Sequence, residues 1–533
     1  MDAAQSEGDT QSQVLAELKQ IVGVDRVASD EARRKLFSQD IYKVSDDVVV
    51  AVVSPEDTDQ LARVVSVAAR HDLHVAPRGA GMSYTAGYVP TSPRTLSIDT
   101  SHMDKVLNVN AEDMTVTVQA GCTWKTLHDT LSPLGLRTPF WGPLSGLTST
   151  VGGGLSQLNA FFGASLYGTT SESVVSVTVV TGMGEILRTG LQRPDGAQAH
   201  WRHYGPDLTG LFAGDCGALG VKAEITLRLM QAPAHEAYAS FAFETGAQML
   251  DAMNTITRAG LASELCGFDP GLTRVRMKRA SLAADVSALK NVVSKQKSLF
   301  AGVKEAAKIA LAGRSFIEED TFPLHVICEG RSKAAVDADM AEVRAIIAKF
   351  SGGEIENTIP KVIRAMPFTP LNSILGPEGE RWVPIHGVLP LSRAKDAFAA
   401  LNQVFADMAP QFEKHGVYNG FLFCTLSTNA CIIEPTFYWP DARQAIHEAT
   451  IEPGHLAKLP ALPADAEAAA VVVEARKRVI AVFQAHGAGH FQIGRTYPYK
   501  DSRDPAAWRL LRMIKAEVDP DGRLNPGVLG LGA

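Results

Sequence analysis

Val14, Leu15, Leu18, Ile21 and Val22 recur at helical spacing and predict an amphipathic helix behind a polar tail, residues 1–11, expected to lack fixed structure. The continuous apolar run 48–53 predicts a buried strand. Ser54, Pro55, Glu56 and Asp57 then read as N-cap, first helical residue and first-turn acids of a helix reaching His71. Residues 73–76 form a second short strand, completing a strand–helix–strand unit. From 95 to 119 the pattern shortens to alternating segments at 95–99, 106–110 and 115–119, expected as antiparallel strands, followed by a helix at 123–131. Segments 173–181 and 185–188 flank Gly182 and Gly184 as a hairpin, and 221–230 is a further strand.

Beyond Pro233 the style changes. Helical stretches at 245–260, 284–312 and 332–350 alternate with strand-like runs at 236–243, 323–329, 383–389, 417–425 and 431–438. This is the signature of an α+β body on an antiparallel sheet. A Pro/Ala-rich excursion at 457–470 leads into helices at 466–486 and 503–518. The expected division is a tail and helix at 1–29, a first domain at 30–231, a second at 232–488, and a return segment at 489–533.

At 533 residues the chain exceeds one core, and its 46% hydrophobic and 20% charged content is that of a globular protein. A net charge of −7 without a basic block argues against a nucleic-acid partner. The six cysteines form no CxxC, which fits free thiols in a reducing compartment. The opening residues hold neither a basic nor an apolar stretch, and no apolar run is long enough to span a bilayer, so a cytoplasmic protein is expected.

Three glycine-rich clusters stand out. The first, 77–90 (PRGAGMSYTAGYVP), follows a strand, and its glycines allow a sharp turn whose successive amides can form a concave anion site. The second, 149–156 (STVGGGLS), runs on to 159–170, and the third spans 204–221 ahead of a strand. With 518–527 (VDPDGRLNPG) these blocks, in this order, resemble the FAD-binding domain of the vanillyl-alcohol oxidase superfamily, the PCMH-type flavoproteins. Neither GxGxxG opening a helix nor GxxxxGKS/T is matched, so Rossmann and P-loop readings fall away. The resemblance implies an α+β fold: a PCMH-type FAD-binding domain of two subdomains, plus an α+β cap domain with an antiparallel sheet. It implies that Arg78, Gly79, Ala80, Gly81, Met82 and Ser83 cradle the FAD pyrophosphate and that Gly87 and Tyr88 continue that wall. Gly152, Gly153, Ser156, Tyr167, Gly168 and Thr169 would line the isoalloxazine and ribityl chain, Gly220 and Val221 the adenine side, and Asn525 would reach the flavin ring.

Two departures bear on cofactor linkage. Many relatives tether the flavin through a histidine of the first loop, where this chain has Met82. The cap histidine of vanillyl-alcohol oxidase corresponds to Ala430 or Cys431, so non-covalent FAD is expected. Arg495, with Thr496 and Tyr497, resembles a Tyr-Arg-Thr motif that binds phenolate, and a guanidinium there could equally hold a carboxylate. Thr169 replaces the acid that relatives place near flavin N5, and the His-rich metal motif of D-lactate and glycolate dehydrogenases is missing, so no metal is expected. His386 is the candidate general base and Tyr497 a candidate phenolic donor. The reading is an FAD-dependent oxidoreductase taking hydride from a C–OH or ring-activated carbon of a small molecule. A D-2-hydroxy-acid dehydrogenase, an alkyl-dihydroxyacetonephosphate synthase and a flavin-binding scaffold with an inactive cap are the rivals. A homo-oligomer is expected, and the electron acceptor stays open among O₂, a quinone and a cytochrome.

Overall fold

The computed structural model describes residues 2–192, 199–279 and 320–532. It divides into two compact units: Met1–Asn159, Thr170–Gln231 and Phe491–Ala533 in the first, Ala160–Thr169 and Ala232–His490 in the second. Residues 160–169, expected inside a continuous domain, thus group with the second unit. The helix expected at 284–312 lies outside the described residues.

In the first unit the N-terminal helix runs over Asp2–Val22, so the tail expected to be unstructured is helical from its second residue. Val14, Leu18 and Val22 enter the same core as Leu61, Val64, Val65 and Ala68 of the helix Thr58–Arg70, so residues 1–29 belong to this unit rather than standing outside it. Each fully buried Val or Leu there contributes about 1.5–3 kcal/mol. The helix Thr58–Arg70 begins later than expected, because Asp57 is the residue whose carboxylate accepts from the Gln60 amide at 2.8 Å. Ser54 turns its hydroxyl to Asp99 instead. That helix is a crossover: Ala51–Val53, Thr95–Asp99 and His74–Arg78 lie parallel in a four-stranded sheet that also contains Val27–Ala28. The antiparallel expectation for 95–99 is therefore corrected: Thr95–Asp99 lies between the two strands that the helix joins and runs parallel to both. The other two segments do pair antiparallel, in a five-stranded sheet ordered Val106–Asn110, Thr115–Gln119, Val221–Arg228, Val174–Val180, Ile186–Arg188.

The second unit is built on an eight-stranded sheet. Its order is Gly353–Ile355, His235–Phe243, Phe322–Gly330, Glu264–Phe268, Tyr418–Leu426, Ala430–Trp439, Arg381–Pro384, with Gly387–Pro390 also paired to Ala430–Trp439. Alternation in these strands sorts residues onto two faces. One face carries Phe241, Phe243, Leu265, Phe421, Phe423 and Phe437. The helix Ala394–Lys414 packs there, setting Phe398 edge-on to Phe421 and Phe423 with centroids 5.1 and 5.2 Å apart. Such pairs add about 0.5–1.5 kcal/mol each beyond area burial.

The opposite face is polar. Register places Glu236, Ser240, Glu264, Cys266, His325, Glu329, Cys424, Glu434 and Thr436 on it. Arg364, from the helix Thr358–Ala365, meets Glu236, Glu264 and Glu329 there, at 3.2, 2.7 and 3.2 Å. Among the described residues no helix is long and apolar enough to cross a membrane, and no cluster of His, Cys, Asp or Glu could hold a metal ion.

Candidate functional site

The first glycine loop leaves the C-terminal end of the parallel strand His74–Arg78, where chains in such sheets turn sharply and expose amides. No described residue accepts a hydrogen bond from the amides of Gly79, Ala80, Gly81, Met82 or Ser83. A run of five unclaimed donors at a turn is a built-in anion cradle. Arg78 does not face this cradle. Its guanidinium is buried, donates to the Leu36 and Gln39 carbonyls at 2.9 and 3.2 Å, and lies over the Phe37 and Tyr88 rings at 4.4 and 5.2 Å. Burial pulls its pKa below the usual guanidinium range. It anchors the loop from beneath. Gly81 has φ +74°, and a Cβ there would fall 2.3 Å from Arg78 Nη2, so this glycine makes room for the anchor. Tyr88 donates to the Ser83 carbonyl at 3.1 Å, and Ser83 Oγ lies 3.1 Å from Thr85 Oγ1.

The second cluster approaches from the helix Val151–Gln157, N-capped by Thr150. A Cβ on Gly79 would lie 2.7 Å from Thr150 Oγ1, and one on Gly152 2.6 Å from the Ala120 Cβ. Gly153 donates to Thr150 Oγ1 at 3.1 Å, and the Ser156 carbonyl accepts from the Cys216 amide at 2.9 Å, which joins the second cluster to the third. Asn525 closes the assembly. Its Nδ2 donates to the carbonyls of Gly87 and Cys216, and its own amide donates to the Val75 carbonyl at 2.8 Å. The Asn525 side chain is buried, and its Oδ1 has no donor among the described residues. Beneath these turns lies a charged lattice that pattern reading missed. Asp215 pairs with Lys222 and accepts from the Gly217 and Leu219 amides, while Lys515 pairs with Asp519 and donates to the Ala218 and Leu524 carbonyls at 2.7 and 2.9 Å. An acid and a lysine four apart on a helix, as in Lys515 and Asp519, read from sequence as a solvent-facing pair.

The remaining expected residues fall in several places. Gly220 packs against Val179 and Phe212, and the Val221 side chain lies in the core of the first unit, which leaves only their backbone for a ligand. Tyr167, Gly168 and Thr169 belong to the second unit, with Gly168 at φ +78°. Arg495 spends four of its five N–H groups on backbone: Nε and Nη2 donate to the Pro526 carbonyl at 3.0 and 2.6 Å, and Nη1 to those of Ala86 and Val89, the latter at 2.8 Å. That is a clamp joining the first loop to the C-terminal turn, and it leaves one N–H without an acceptor among the described residues for the substrate-anchor role expected of it. Burial lowers this guanidinium to about 10, which still leaves it charged at neutral pH. Tyr497 is buried beside it in sequence, its carbonyl accepting from the Tyr499 amide at 2.8 Å. His386 is 0% exposed, and burial with His490 beside it pushes its pKa well below the ordinary range. His490 Nδ1 donates to its carbonyl at 2.8 Å. A neutral imidazole is the form a base needs, but this ring is closed off from solvent, which is the geometry against the general-base role expected of it.

A loop of amides unclaimed among the described residues after a parallel strand, two further glycine turns and a buried orphan acceptor are features that an extended anionic ligand such as a dinucleotide needs. The chain carries an FAD-binding domain: residues 49–190 match the family model "FAD binding domain", and 461–529 match "FAD linked oxidases, C-terminal domain". The glycolate oxidase subunit GlcD of Bacillus subtilis (strain 168) is 29% identical over 220 residues, 41% of this chain and 45% of that one. The mitochondrial D-lactate dehydrogenase [cytochrome] 1 of Saccharomyces cerevisiae is 29% identical over 212 residues, 39% of this chain and 35% of that one. The chain thus spans less than half the length of these curated relatives. Among solved structures, p-cresol methylhydroxylase with substrate bound superposes with a TM-score of 0.72 at 16% identity, covering 98% of this chain and 97% of the other. That likeness gives the fold.

Proposed function

We propose that this protein is an FAD-dependent oxidoreductase that oxidises a C–OH or ring-activated carbon of a small molecule. The observation that carries this is the run of unclaimed amides from Gly79 to Ser83, next to the buried Asn525 Oδ1, inside the segment that matches the FAD-binding family. The amides would hold the pyrophosphate, and Asn525 Oδ1 would accept from a cofactor N–H. When bound, FAD supplies the two-electron acceptor for a hydride. The protein's part is to orient the substrate and take up the accompanying proton. Arg78 and Arg495 act underneath, fixing the loop that the cofactor rests on. A 2-hydroxy acid is the favoured substrate class within this reading, because the two curated relatives above carry glycolate and D-lactate in their names.

The purified protein is expected to be yellow, with one FAD per chain, and anaerobic incubation with hydroxy acids and phenolic alcohols should bleach the flavin. A colourless protein that does not take up added FAD overturns the proposal. The flavin should also be non-covalent. Met82 offers no tethering atom, and Cys431 is a fully buried thiol whose pKa burial raises to about 12. Acid precipitation is expected to leave all the yellow colour in the supernatant. Colour retained on the washed polypeptide would show a covalent bond.

A further inference from the structure

Four polar side chains stand in one row on the polar face of the second unit's sheet. Ser240, His325, Cys266 and Cys424 are successive register partners on four adjacent strands, and the row ends in two cysteines set directly opposite each other. Opposed residues on antiparallel strands have Cα atoms about 4.5–5.5 Å apart, within the roughly 4.4–6.8 Å that a disulfide spans. The two thiols already hydrogen-bond to each other. All six cysteines are free and buried, and among the described residues no other two are register partners. Cys431 pairs with Thr425 and Leu389, one position out of step with Cys424, so its side chain leaves the opposite face. Cys328 faces Ala237. Cys122 and Cys216 turn their sulfurs to the Thr123 carbonyl and the Gln157 side chain, at 3.6 and 3.4 Å.

The pair also marks a seam. On one side of it every strand of the sheet comes from residues 235–355, and on the other side from 381–439. The two strands that meet there, Glu264–Phe268 and Tyr418–Leu426, share three registered pairs. His235–Phe243 with Phe322–Gly330, and Tyr418–Leu426 with Ala430–Trp439, share nine each. A covalent bond at the seam would therefore join two stretches of chain where their ladder is short.

We propose that Cys266 and Cys424 are a redox modification site, at which a hydroperoxide oxidises the two thiols to a cross-strand disulfide that staples the halves of the sheet. The Cys266 sulfur attacks one peroxide oxygen, the O–O bond breaks, and a sulfenic acid forms. The other oxygen leaves with the thiol proton, as water or an alcohol. The Cys424 sulfur then attacks the Cys266 sulfur, the S–O bond breaks, and the hydroxyl leaves as water with the second thiol proton. Two electrons have passed from the sulfurs to the peroxide. Burial and the hydrogen bond to Cys266 hold the Cys424 thiol protonated, which suits it to the second step. Cys266 is 4% and Cys424 8% exposed, so only a small oxidant reaches them. Burial pushes His325 down to about 3 and keeps it neutral, so the row itself supplies no cation to favour a thiolate. Oxidation accordingly takes minutes to hours rather than seconds. None of this depends on the flavin.

The test incubates the full-length protein with hydrogen peroxide, then unfolds and alkylates it. Wild type should lose two of its six alkylatable thiols, and dithiothreitol should restore both. Peptide mapping by mass spectrometry should find the segments holding 266 and 424 joined. The oxidised protein should melt roughly 5–10 °C higher than the reduced one. Cys266→Ala and Cys424→Ala should each abolish that rise, and Cys431→Ala should keep it. Six thiols surviving peroxide, a link through any other cysteine, or a loss that dithiothreitol does not reverse overturns the site. A linked protein that melts where the reduced one does overturns the staple. Should an alanine variant fail to fold, the thiol count and peptide map of the wild type still decide.

Discussion

Arg495→Ala is expected to lower the melting temperature by roughly 10 °C and to empty most of the flavin site. The side chain makes four charge-assisted hydrogen bonds to the carbonyls of Ala86, Val89 and Pro526. Removing the donor leaves these carbonyls short of partners, and a net loss of about 3–5 kcal/mol follows from the cost of unmaking such bonds. The first loop would then lose its tie to the C-terminal turn, and with it the geometry of the amides at 79–83. Lys at 495 should restore only part of the stability, since an ammonium cannot reach carbonyls on both segments with a planar fork. Thermal melts and flavin occupancy on the same sample decide the matter. A variant with unchanged melting temperature and full flavin, but with slowed bleaching, would show that Arg495 serves the substrate instead.

Gly81→Val should abolish FAD binding outright. The residue sits at φ +74°, where a β-branched side chain is strained by about 1–3 kcal/mol. The larger effect is steric, because the new Cβ would lie 2.3 and 2.6 Å from the Nη2 and Nε atoms of Arg78. Arg78 has nowhere to withdraw, being fixed by the Leu36 and Gln39 carbonyls and the Phe37 and Tyr88 rings. The loop must move, and the cradle moves with it. Gly135→Ala is the control. It shares a positive φ, +67°, but a Cβ there meets nothing within 4 Å, so it should cost about 1 kcal/mol and leave the flavin in place. Full flavin in Gly81→Val would show that the loop is only a turn.

The contrast at Gly81 shows what the amino-acid pattern could and could not convey. A glycine between Ala80 and Met82 announced that a side chain would collide with something, and the pyrophosphate was the expected obstacle. The obstacle within the chain is Arg78, whose side chain the same reading had pointed toward the phosphates. Composition tells that space is scarce, while the direction of a neighbouring side chain depends on partners far away, here Leu36 and Gln39. Strand alternation was more informative. The runs at 236–243, 417–425 and 431–438 emerge as His235–Phe243, Tyr418–Leu426 and Ala430–Trp439, because period-2 patterning is imposed locally by the pleat. Pairing direction was not legible for 95–99, since its neighbours lie on either side of a helix in sequence.

The chain passes between its two units four times, at 159/160, 169/170, 231/232 and 490/491. The first unit also depends on its latest residues: the Val75 amide donates to the Arg523 carbonyl at 2.9 Å, and Val75 forms a parallel bridge with Leu524. On the ribosome this becomes a matter of time. The 449 residues from Val75 to Leu524 take roughly 20–90 s to synthesise at ordinary elongation rates. Through most of that interval the nascent glycine loop waits without Arg495 or Lys515, and through all of it without Asn525, while the second unit is translated in full. A premature stop codon between 491 and 515 would leave every residue of the second unit translated and the first unit without Lys515, Asp519 and Asn525.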